Sequence, residues 1–112
     1  MLENRRRDAR VPMRAQATCV VDSRTTRGVS WNISQGGMQL EASDLQLRNT
    51  VQVSFRLPDS GVAVEALGSV IWANEGRHGI QFTNVGAQSQ QSIRSYILEL
   101  ERRLSLGTMP NE

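Results

Sequence analysis

The 112-residue sequence predicts a mainly β fold: a small six-stranded antiparallel, split β-barrel with a flexible N-terminal arm and a C-terminal α-helix. Three observations predict it. Apolar alternations of period 2 recur from Met13 to Phe82, broken by turn signals about every eight to twelve residues. After Gly86 the apolar spacing becomes that of a helix. Residues 1–10 are rich in arginine and have no hydrophobic period at all. The expected boundaries are an arm over 1–12, the barrel over 13–85, the helix over 86–106 and a flexible tail over 107–112.

Each element has its own warrant. Val11-Pro12 ends the arm, because proline biases the residue before it toward extended geometry. Ala15, Ala17, Cys19 and Val21 alternate as a first strand, and the polar stretch DSRTT (22–26) reads as a turn. Val29, Trp31 and Ile33 alternate as a second strand, closed by the SQGG turn, and Met38 and Leu40 form a short third. Leu45 and Leu47 are candidate anchors in the polar stretch 41–49. Val51, Val53, Phe55 and Leu57 give the clearest strand, and Pro58-Asp59-Ser60-Gly61 turns the chain. Val62 and Val64 begin the next strand, Gly68 marks a bulge or bend, and Val70 and Trp72 continue it. Asn74-Glu75-Gly76 is a turn before the last strand, with Ile80 and Phe82. Ile93, Ile97, Leu100 and Leu104 then make one helical stripe, with Gly107 and Pro110 as stop signals.

Composition removes most catalytic classes. All 13 basic residues are arginine, so lysine-based Schiff-base and P-loop chemistry have no starting group. His78 is the single histidine and reads as a strand residue near a turn. Cys19 is alone, which excludes an internal disulfide and a cysteine-rich zinc site; it reads as a small buried strand residue. No apolar run approaches the roughly 20 residues of a membrane span, and the N-terminus lacks the apolar stretch of a secretory signal. The sequence therefore predicts a cytoplasmic, non-enzymatic protein without a metal. Net charge is +2, but Arg5, Arg6, Arg7, Arg10 and Arg14 crowd the first fourteen residues. Such an arm implies an anionic partner, and arginine favours planar, two-pronged recognition of phosphate or a guanine edge.

Two motifs stand out. NRRRDAR (4–10) holds Arg6 and Arg10 in an R-x-x-x-R spacing. In an extended segment these lie on one side, roughly 13 Å apart. NISQGG (32–37) places Asn32, Ser34 and Gly37 at a hairpin turn. Taken alone, this is a tight turn whose polar side chains satisfy nearby backbone groups, and the arm alone is a solvated basic tail.

Together, and in this order, the two motifs resemble those of the PilZ domain, the bacterial receptor for cyclic di-GMP. SVIWA (69–73) and HGIQF (78–82) extend the resemblance over nearly the whole chain. It implies that Arg6 and Arg10 hold guanine and phosphate groups, and that Asn32 and Ser34 bond a guanine edge. Gly37 would let the backbone approach the ligand. Asn at 32 replaces the family's Asp and forgoes a charge-assisted bond. Arg5, just before the pair, implies an intercalated ligand dimer, hence two cyclic di-GMP molecules per chain. Arg7 and Trp72 are further candidate contacts, Trp72 also fitting the barrel core. Ligand would fold the arm onto the barrel, and an effector protein in motility, exopolysaccharide or biofilm control would read the new surface. The alternatives are a ligand-independent protein adaptor and a nonspecific nucleic-acid binder. The five aromatics fall at core-like positions rather than on a stacking platform, which speaks against the latter.

Overall fold

The computed structural model describes residues 9–107. Among the described residues seven strands precede one helix: β1 (Val11–Pro12), β2 (Gln16–Val21), β3 (Arg24–Ile33), β4 (Gly37–Ala42), β5 (Thr50–Arg56), β6 (Ala63–Asn74), β7 (Arg77–Val85) and α1 (Ala87–Gly107). The sheet order is β1-β3-β2-β5-β6-β7-β4, and β4 returns to pair with β3. This closes a six-stranded antiparallel barrel, with β1 as one extra strand laid on β3. Closure requires β3 to serve two neighbours. Its first half pairs with β2, from Val21↔Arg24 to Gln16↔Val29, and its second half pairs with β4, ending at Ile33↔Met38.

The interior follows from alternation. Cys19, Ile33, Leu40, Val51 and Val53 are fully buried and share one cluster with Met13, Met38, Val64, Val70 and Ile80. Each such side chain contributes about 1.5–3 kcal/mol by leaving water. Ile93 and Ile97 of α1 join this cluster, and Leu100 lies half-buried against it. Leu104 is exposed, so the stripe predicted from spacing is used only over its first turns. Leu45 anchors the loop after β4, while Leu47 is exposed. His78 is buried in β7, and its Nε2 lies 3.1 Å from the Leu45 carbonyl oxygen, tying that loop to the sheet.

The turn after β2 is shorter than the polar run predicts. Only Asp22 and Ser23 form it, with φ of 50° and 71°, and Arg24–Thr26 already belong to β3. Positive φ at both central residues is the geometry that matches the twist of a hairpin. The end of this hairpin carries no apolar alternation, so sequence periodicity could not reveal it as strand. Glu75 and Gly76 make a similar turn between β6 and β7, with φ of 51° and 83°. Gly68 sits beside a register shift between β6 and β7, as a glycine within an alternating strand suggests.

Two further bulges change which way tryptophans face. A register shift between Ser30 and Asn32 turns Ser30 inward, in place of the Val29 and Trp31 that alternation assigned to the core. The Ser30 hydroxyl donates to the Met13 carbonyl and accepts from the Ala15 N–H, so its burial is satisfied. A second shift between Val70 and Trp72 absorbs Ile71 and leaves Trp72 on the outside, 37 % exposed. No helix among the described residues is long and apolar enough to cross a membrane.

Candidate ligand-binding site

The end of the arm is already docked. Val11 pairs with Ile33 and Pro12 with Asn32, so β1 lies antiparallel to the strand that carries the NISQGG motif. Val11 is buried, which fixes the register by its side chain as well as by the ladder. The Tyr96 hydroxyl of α1 donates to the Pro12 carbonyl at 3.3 Å, holding β1 from the other side. Arg10 immediately precedes this strand. Its Nη1 donates to Asn32 Oδ1 at 2.8 Å, across 22 residues of sequence, on an exposed surface. The two motifs therefore meet through one hydrogen bond between their own side chains.

From Asn32 a single cross-strand row runs over the outer wall. Asn32 pairs with Gln39, Gln39 with Gly79, and Gly79 with Trp72. At about 4.8 Å per strand, Asn32 and Trp72 stand roughly 14 Å apart on one face. The Trp72 indole lies flat against Gly79, where a Cβ would run into its ring. Arg10, Asn32, Gln39 and Trp72 thus line one outer face, with hydrogen-bonding groups at one end and an exposed ring at the other.

The SQGG turn is braced from within. Ser34 is buried; its N–H donates to the Gly37 carbonyl at 2.8 Å, and its hydroxyl donates to the same oxygen at 3.3 Å. That hydroxyl also accepts from the Gly36 N–H at 3.3 Å. Gly37 begins β4, and a Cβ there would collide with the Ile80 carbonyl oxygen of β7. The resemblance implies that Ser34 bonds a guanine edge and that Gly37 lets the backbone approach the ligand. In the structure their observed partners are the turn and the neighbouring strand. Arg5, Arg6 and Arg7 lie outside the described residues.

One group beside the site was not singled out from the sequence. Trp31, the residue before Asn32, has the Arg77 guanidinium 3.9 Å and the Arg14 guanidinium 4.6 Å from its ring centroid. Its Nε1 donates to Glu41 Oε1 at 3.1 Å. Cations over an indole are attracted by the negative face of its π-system. The only sequence sign was a tryptophan next to the motif, and it was hidden because simple alternation assigned Trp31 to the core.

Among the described residues no group of three His, Cys, Asp or Glu side chains could hold a metal ion. The face instead offers guanidinium and amide donors, amide acceptors and aromatic surface. That chemistry suits a planar, anionic, hydrogen-bonding ligand.

Comparison with known proteins agrees with this architecture. A family model described as the PilZ domain matches residues 4–99. The PilZ domain of CeSA from a cellulose-synthesizing bacterium is 21 % identical; the match covers 83 % of this chain and 98 % of that one, with a TM-score of 0.65. MotI/DgrA of Bacillus subtilis, an inhibitor of motility, is 20 % identical over 95 % of this chain and 54 % of its own, with a TM-score of 0.76. YcgR of Escherichia coli, solved in complex with c-di-GMP, is 22 % identical over 92 % of this chain and 49 % of its own, also at 0.76. The chain thus spans about half the length of MotI and of YcgR. No curated protein gives a significant match.

Proposed function

Because the chain belongs to the PilZ domain family, we propose that it is a non-catalytic receptor for cyclic di-GMP that relays the signal to an effector protein. The observation that carries this reading is the Arg10–Asn32 hydrogen bond, which joins the arm motif to the barrel motif. The c-di-GMP held by the YcgR structure of similar fold supports the choice of ligand.

In this reading Arg6 and Arg10 bind guanine and phosphate, and Asn32 bonds a guanine edge. A guanidinium forks onto guanine O6 and N7 or onto a phosphate. Arg10 and Asn32 are hydrogen-bonded to each other, so they meet the ligand as one paired unit. Ser34 and Gly37 shape the turn that presents Asn32. Trp72 offers a ring at the far end of the row, and Arg7 adds a phosphate contact. Arg5 favours an intercalated pair, giving two ligands per chain. The arm closes over the nucleotide, and the effector reads the altered surface. The effector's process is motility, exopolysaccharide synthesis or biofilm control; motility has the support of the fold shared with MotI.

The test is a calorimetric titration of cyclic di-GMP into the wild type and into Arg6→Ala, Arg10→Ala and Asn32→Ala. Binding to the wild type that is lost in either arginine variant, and weakened at least about tenfold in Asn32→Ala, is the expected result. Saturation at one ligand per chain would remove the role given to Arg5. A folded wild type that does not bind would leave a ligand-independent adaptor.

A further inference from the structure

A groove lies beside the start of β2 and the end of β5. Their pairing ends at Ala17↔Phe55. Gln16 and Arg56, the first residue of β2 and the last of β5, have Val29 and Ala63 as partners on their other sides. The groove has a volume of about 880 Å³. Its floor includes Ala17, Phe55 and Val64, and Arg14, Arg27 and Arg56 contribute to its rim. Among the described residues none of these three arginines forms an ion pair, whereas Arg102 and Arg103 of α1 are held by Glu99 and Asp59. Arg56 is instead fixed by donating to the Gly61 carbonyl at 2.7 Å. Glu65 is the single carboxylate in the lining.

We propose that this groove is a docking surface for an extended, acidic segment of a partner protein. Charge complementarity is the main argument, because three guanidiniums face one carboxylate and each can fork onto an incoming carboxylate. The second argument is the groove's floor. Its apolar residues Ala17, Phe55 and Val64 can take the alternate side chains of an extended segment. A nucleic acid fits less well, since the floor is small aliphatic residues with one buried phenylalanine and no stacking platform. Arg14 links this surface to the candidate ligand face, because it lines the groove and also lies 4.6 Å from the Trp31 ring, next to Asn32. The docking surface itself does not depend on the cyclic di-GMP reading.

The experiment is fluorescence anisotropy of a labelled peptide of four Glu-Val repeats, titrated with the full chain. Saturable binding that weakens with salt is expected. Arg27→Glu combined with Arg56→Glu should lower affinity at least about tenfold, with unchanged circular dichroism and an unchanged cyclic di-GMP titration. The same double variant should gain affinity for a Lys-Val peptide of equal length. Absence of saturable binding to folded wild type would overturn the proposal, as would binding that survives the double substitution or is lost only in Arg10→Ala. A twelve-nucleotide oligothymidylate that binds the groove more tightly than the peptide would overturn the protein partner in favour of nucleic acid. Neither Arg27 nor Arg56 lies on the ligand face, so failure here leaves the receptor reading standing.

Discussion

Gly37 and Gly79 are required by what lies against them. A methyl at 37 meets a strand carbonyl, which cannot swing aside as a side chain can. Gly37→Ala should therefore destabilise the fold by about 1–3 kcal/mol, read from urea unfolding. A methyl at 79 meets the Trp72 ring, which can be displaced. Gly79→Ala in a Trp31→Phe background should shift the Trp72 emission to the red, with a smaller loss of stability than Gly37→Ala. Residue-level reading of the sequence succeeded where local chemistry decides. The NISQGG segment is a turn whose serine satisfies its own backbone, as that composition implies. It failed at Trp31 and in the core reading of Trp72, because one inserted residue in a strand reverses the facing of every residue beyond it, and alternation carries no mark of the insertion. The meeting of Arg10 with Asn32 was legible only as a conjunction of motifs, since nothing local to either one names the other.

At the level of elements, α1 connects the core to the docked end of the arm. Ile97→Ala should cost about 2–5 kcal/mol by leaving a cavity under the helix. Tyr96 tests the connection itself. Burial raises its pKa above the usual 10, the Asp59 carboxylate adds to that, and Arg103 opposes it. The folded state then holds the phenolic proton more tightly than the unfolded chain. Its stabilising contribution is full below the usual value and is lost as pH rises through the raised one. Between neutral pH and about pH 11, wild type should lose more stability than Tyr96→Phe, measured by urea unfolding at each pH. Strands of the barrel and the helix could be placed from apolar period because each buries one face. The two-residue β1 could not, being too short to show any period. The Arg24–Thr26 stretch could not either, because its residues are polar throughout.

Across the whole molecule the closed barrel leaves its one thiol no route to solvent. Cys19 is fully buried, and burial pushes its pKa up to about 11. Its alkylation at neutral pH should proceed only through global opening, at a rate that follows the slowest-exchanging amides of β2 and β5. Labelling much faster than that exchange would mean that β2 detaches by itself. Six-strand closure was predictable from the number and spacing of the strands, but the groove beside the start of β2 and the end of β5 was not. Residues of four strands line it, and nothing local to any one of them names the others. The register of β1 has a consequence for how such a chain can change length. One residue inserted between Arg10 and Val11 would move the guanidinium about 3.4 Å along the strand and turn it to the opposite face. Residues added in matched pairs at the Asp22-Ser23 hairpin tip would lengthen the distance in sequence from Arg10 to Asn32 and leave their contact in place. Evolutionary drift in loop size is thus tolerated at the far end of the β2–β3 hairpin, while the junction between arm and β1 admits no insertion.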